Sequence, residues 1–276
     1  MSMSNRKLGK GILWLIAVLV VLLLLLAGLQ RTVQNDKEVS PVDQVEGARE
    51  QLTILHEMGR TASDQPFRMT VKWQGDWPTL LSPEEAAGAL SSRLGLPAPK
   101  QVLEMAHEAY KTTGSLEGVP AHLTVGVRAS GGYYVLLRLE SVGGNAEGLK
   151  RLENVQGLSG ESLADEGVEV QWNAAVQGIT WTGANGSENG SEQSPEQTLE
   201  QLEQRVQEQE TLRLKLKPVD EFAEELTVSR TYTVKGWNIT AISGKQPVAL
   251  QMAVHRNSGT GLNEISFGSP LLTVEY

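Results

Sequence analysis

Ser82-Pro83-Glu84-Glu85 and, far downstream, Ser194-Pro195-Glu196-Gln197 are the two stretches that decide how this chain folds. Each places Ser at an N-cap, Pro at the first helical position and Glu or Gln at the third, which is a capping box opening a helix. Ala86, Leu90 and Leu94 follow the first; Leu199, Leu202 and Val206 follow the second. Steps of three and four predict one apolar helical face in each case.

Working outward, the surroundings of the two caps match. Before the first, Val45, Ala48, Leu52, Leu55 and Met58 predict a helix over 44–60, and FRMTVKW (Phe67–Trp73) alternates as a half-buried strand. Gln74-Gly75-Asp76-Trp77-Pro78 reads as a turn. Before the second, residues 146–163 have helical spacing weakened by glycines, and VEVQW (Val168–Trp172) is another alternating strand ending in Trp. After the first cap, Val102–Tyr110 fits a helix or a strand and is read as a strand by analogy with the second half; Ala121–Arg128 and Tyr133–Glu140 form a hairpin about Ala129-Ser130-Gly131-Gly132. After the second cap come Leu226–Val234, Val248–Arg256 and Leu262–Phe267, the last two joined by residues 257–261, and then a strand-like Leu271–Tyr276. The fold class is therefore α+β, with two pseudo-symmetric repeats of helix–strand–helix–three strands over residues 44–142 and 143–276. Their antiparallel sheets are expected to join, with helices on one face and the other face available. Thr182–Gln193 (TGANGSENGSEQ) reads as a flexible insertion in the second repeat.

Ahead of the repeats, Ile12–Leu29 (ILWLIAVLVVLLLLLAGL) has no charged residue. As a helix it spans about 27 Å, near the hydrocarbon thickness of a bilayer. Arg6, Lys7 and Lys10 precede it, so residues 1–11 are expected in the cytoplasm and the domain after the 30–43 linker outside, at the cell membrane. A signal-anchor fits better than a cleaved signal, whose apolar core is shorter and whose cleavage site has small residues; Ala27-Gly28-Leu29 has a large one. Secretion after cleavage is the alternative. The chain has no cysteine, which removes disulfides, thiol catalysis and cysteine metal sites. All 33 acidic residues follow residue 30, against 21 basic ones, so the exported part carries −12. That balance disfavours nucleic acid as a partner.

No Walker A loop, Rossmann fingerprint or G-x-S-x-G elbow occurs. His56, His107, His122 and His255 form no metal-binding spacing, and Glu84-Glu85, Asp165-Glu166 and Glu224-Glu225 are adjacent carboxylates that do not face one another on a helix. No catalytic residue, metal site or cofactor is assigned. Three positions remain as candidates for a ligand or partner. Trp77, in its Gly-Asp-Trp-Pro context, is the tryptophan best placed for exposure, whereas Trp73 and Trp172 read as core. Arg128 and Arg256 precede equivalent hairpin turns and are candidates for a pseudo-twofold anion or carboxylate site; solvated strand ends are the plainer reading.

Four features carry a resemblance: the two matching halves, Lys72-Trp73-Gln74-Gly75, Val248–Arg256, and the closing Gly268-Ser269-Pro270-Leu271-Leu272-Thr273-Val274-Glu275-Tyr276. Through them, over roughly residues 45–276, the chain resembles the YwmB-like family of endospore-forming Firmicutes, labelled "TATA-box binding protein-like". The resemblance implies a two-repeat fold like the TATA-binding saddle, an exported bacterial setting and no established activity. The function expected is a non-enzymatic binding or scaffold module for an envelope protein or cell-wall component, associated with sporulation through the family. The alternatives are an envelope hydrolase using carboxylates and a nucleic-acid-binding protein.

Overall fold

A computed structural model describes residues 41–104, 107–142, 146–181 and 193–273. The expected membrane segment Ile12–Leu29, most of the linker and insertion residues 182–192 lie outside them. Among the described residues no helix is long and apolar enough to cross a membrane.

The fold is α+β with a large antiparallel sheet. The first half runs α1 (Pro41–Ala62), β1 (Arg68–Trp77), α2 (Pro83–Arg93), β2 (Lys100–Glu104), β3 (His107–Leu116), β4 (Val119–Val127) and β5 (Tyr133–Val142). The second runs α3 (Ala146–Asp165), β6 (Gln171–Ile179), α4 (Pro195–Glu208), β7 (Leu216–Glu224), β8 (Thr227–Val234), the short hairpin β9 (Ala241–Ser243) and β10 (Gln246–Val248), then β11 (Leu250–Arg256) and β12 (Asn263–Ser269). Ten strands join in the order β2-β3-β4-β5-β1-β6-β12-β11-β8-β7. At the middle β1 pairs with β6, with Trp73 opposite Trp172.

Both helix caps form as expected. In α4 the Ser194 hydroxyl accepts from the Gln197 N–H at 3.2 Å, and Gln197 Oε1 accepts from the Ser194 N–H at 3.3 Å. In α2 the Glu85 carboxylate accepts from both the N–H and the hydroxyl of Ser82, at 3.0 and 2.6 Å.

Several boundaries differ from the sequence reading. Four strands of the main sheet, not three, follow the second helix of each half. Val102–Tyr110 is not one strand: Glu104 pairs with His107, so the chain reverses between them. That run has no Gly, Pro or Asn to mark a turn. β7 gives no strand signal in the sequence because LKPVDEFAE combines Pro218 with three acidic residues; as the edge strand it tolerates both. β1 continues through Trp77 where a turn was expected. Gly75 is there for close approach: a Cβ would stand 2.0 Å from the Glu169 carbonyl oxygen, and the Glu169 N–H donates to Asp76 O at 2.8 Å. Gly160 of α3 has the same role. A Cβ on Gly160 would lie 2.5 Å from the Trp73 ring, so the helix sits directly on that tryptophan.

The helices cover one face, and the buried apolar residues of both halves form one continuous cluster beneath them. Its polar centre is Gln156 of α3. The backbone carbonyl of Gln156 accepts from Trp73 Nε1 at 2.9 Å, and its side-chain oxygen accepts from Trp172 Nε1 at 3.0 Å. One residue thus satisfies both buried indoles across the seam between the halves.

Candidate functional site

Strand alternation assigns every second residue to the face opposite the helices. In register across the middle of that outer face stand Thr113, His122, Arg138, Lys72 and Asn173, on β3, β4, β5, β1 and β6. Beside this row, Lys111 and Thr124 are paired on β3 and β4, and Lys100 stands directly opposite Lys111 on the edge strand β2. The second half presents mostly Gln, Ser and Thr here, including Gln251, Ser229 and Thr231, with acidic groups at Asp220, Glu224 and Glu264. Trp73 and Trp172 point the other way, into the core.

The last described residues fold back onto this face. After β12, Leu271–Thr273 crosses the strands, and strand side chains grip its peptide groups. Asn173 Nδ2 donates to the Leu271 carbonyl at 2.7 Å, and the Leu272 N–H donates to Gln251 Oε1 at 3.1 Å. Lys72 Nζ donates to the Thr273 carbonyl at 3.0 Å, and the Thr273 hydroxyl donates to Asn173 Oδ1 at 2.8 Å. Lys72 and Asn173 are 4% and 5% exposed because this strap lies over them. Gly268 makes the crossing possible, since a Cβ there would meet Leu272 N at 2.6 Å. Leu271–Thr273 is therefore not the strand extension expected from the sequence, and residues 274–276 lie outside the described residues.

The three candidate residues are not brought together. Trp77 is 4% exposed, not exposed as its turn-like context suggested. Its Nε1 donates to Glu166 O at 2.7 Å and its ring packs near Tyr133. Arg128 pairs with Asp76 and stacks over Tyr134 at 5.3 Å. Arg256 donates to the Gln193 carbonyl at 3.4 Å, beside Asn263, which reaches Thr198 on α4. β5, β1, β6 and β12 separate β4 from β11, and β4 and β11 run in opposite directions. The two arginines thus stand at opposite ends of the sheet, five strand spacings or about 24 Å apart sideways. A joint pseudo-twofold site is excluded by this geometry.

On the helix side, Glu203 of α4 accepts from Tyr232 Oη and from Arg230 Nη1 at 3.1 Å, while Arg230 Nε reaches Glu221. Hydrogen bonding to Glu221 raises the Arg230 pKa; burial and then the Glu203 hydrogen bond raise that of Tyr232. Both groups are thereby held in their ordinary neutral-pH forms as structural clamps. His56 is buried beside Phe67 and Glu57, and burial lowers its pKa from 6.5. An open cleft of about 330 Å³ is lined by Ser194, Pro195, Glu196, Ala223, Glu224 and Glu225. Among the described residues no group of three or more His, Asp or Glu is placed to hold a metal ion.

A scan against protein-family models finds no match, and a search of curated proteins finds none either.

Proposed function

We propose that this chain is a membrane-tethered, exported binding or scaffold module whose working surface is the outer face of its sheet. The observation that carries this reading is that the helices all pack on one side, leaving a polar ten-strand surface crossed by one short strap. A surface of this shape suits a partner or polymer laid across it better than a small substrate, which asks for an enclosing cleft. Ile12–Leu29 is the proposed signal-anchor, with the domain extracytoplasmic. The mirrored strand order about β1 and β6, the paired Trp73 and Trp172 and the repeated caps support an internal duplication of the TATA-binding type and membership of the YwmB-like family.

Two other readings have footholds. The Glu196, Glu224 and Glu225 cleft favours a carboxylate hydrolase, although no Lys, Arg or His lines it. The lysines of the first half favour nucleic acid, but Asp220, Glu224 and Glu264 oppose phosphate on the second half.

Alkaline extraction and external protease treatment of intact cells test the tether and its orientation. The full-length chain is expected to stay with the membrane and its domain to be cut from outside; release by alkali contradicts the anchor. Co-purification from native envelope should then recover a partner, and that recovery should fail in a chain with outer-face substitutions.

A further inference from the structure

We propose that β2 is a self-association edge: the β2 strand of a second copy of this chain pairs with it antiparallel and joins two ten-stranded sheets into one. β2 and β7 end the strand order, so among the described residues each offers a row of N–H and C=O groups with no strand beyond it. The two ends are finished differently. β7 carries Pro218, three acidic residues and a register shift between Pro218 and Asp220, all of which discourage a further strand. β2 (KQVLE) has no proline and no register shift, and its two charged residues stand at its ends. It is also held firmly against β3. Gln101 Nε2 donates to Glu108 Oε1 at 2.8 Å, and the Tyr110 hydroxyl donates to the same oxygen at 3.0 Å.

The sequence of β2 is complementary to itself. Two such strands paired antiparallel about Val102 set Val102 against Val102, Gln101 against Leu103 and Lys100 against Glu104. A twofold axis makes every contact twice, so opposite charges meet at both ends of the pair. Leu103, 79% exposed on this edge, then lies against Gln101 of the second copy and diagonal to its Leu103. The axis stands perpendicular to the sheet. The helices of both copies therefore stay on one side, and the two outer faces form one surface. A five-residue edge is small for an interface, so the dimer is a weak and reversible one. The pairing needs no other protein and stands apart from the binding-module reading.

The chain has no cysteine, so a single introduced one reports its own contacts. Residues opposite one another in antiparallel strands have Cα atoms about 4.5–5.5 Å apart, within disulfide reach. The full chain in non-ionic detergent, carrying Val102→Cys and treated with a mild oxidant, should give disulfide-linked dimers. Phe222→Cys, on the opposite edge strand, should stay monomeric. Sedimentation equilibrium of the parent chain should show a concentration-dependent dimer. Lys100→Glu sets like charges together at both ends and should weaken that dimer about tenfold; adding Glu104→Lys restores opposite charges and should restore it. Circular dichroism checks that each variant is folded; Lys100 is exposed, so its substitution disturbs no packing. A parent chain that stays monomeric at every concentration overturns the proposal. So does equal cross-linking at the two edges. A dimer indifferent to Lys100→Glu overturns it as well, and assigns the association to another surface.

Discussion

The two halves of this protein are wired alike and surfaced differently. Inside, Trp73 and Trp172 face each other across the seam and both end on Gln156. Outside, the first half carries Lys72, Lys100, Lys111 and Arg138 with Asp76 and Glu140, while the second carries mostly neutral polar residues with Lys217, Asp220, Glu224 and Glu264. A shared interior with divergent exteriors separates what the fold requires from what it leaves open to function. The seam residues answer to packing. The outer charges differ between the halves, and in the first half Lys72 holds the strap through the Thr273 carbonyl while Arg138 meets Glu140.

The equivalence of the interiors can be broken first. Trp73→Ala and Trp172→Ala should each cost about 3–5 kcal/mol, and each should melt the whole chain in one transition, since both halves share one core. Separate transitions for the two halves in calorimetry would show the seam to be weaker than its geometry suggests. A smaller effect sharpens the role of α3. Gly160→Ala should destabilise by about 1–3 kcal/mol because its Cβ meets the Trp73 ring. Gly88→Ala, in α2 with nothing within 4 Å, should stabilise by about 0.5–1 kcal/mol. Chemical denaturation of the two variants should therefore give opposite signs.

Acid tests the one buried histidine. His56 has its folded-state pKa depressed, so the unfolded chain takes up its proton first as pH falls. The stability linked to it is intact above 6.5 and is lost as pH drops toward the folded-state value. His56→Gln should flatten this part of the stability-versus-pH curve; an unchanged slope would remove His56 as its source. The smallest effect belongs to α2. Hydrogen bonds from Ser82 hold the Glu85 carboxyl below its usual range, so its contribution is present above that range and fades only as pH falls through the lowered value. Ser82→Ala should fray the first turn of α2, seen as faster amide exchange there with little change in the rest of the chain.

How far the sequence discloses all this depends on how local each signal is. Caps, amphipathic helices and alternating strands are set by neighbouring residues, and α1 to α4, β1, β4, β5 and β8 follow from them within a few residues. Close approaches are not local. Gly75 reads as a turn until Glu169 is seen against it, and that misreading is what placed Trp77 on the surface. β7 hides because an edge strand can carry Pro218 and charge that a central strand cannot. The outer-face cations are least legible of all. Lys72, Lys100, Lys111 and Arg138 come from four strands and meet only through the strand order, within a sequence whose net charge points the other way.

Lys100→Glu puts the central claim to the most direct test. It replaces a like-charge pair with an opposite-charge pair facing Lys111 on the outer surface. If the outer face of the sheet is the working surface, this variant should stay folded, with a Tm within about 2–4 °C of the parent, and should fail to recover the envelope partner that the parent co-purifies. Recovery of the same partner by the folded variant would contradict the account.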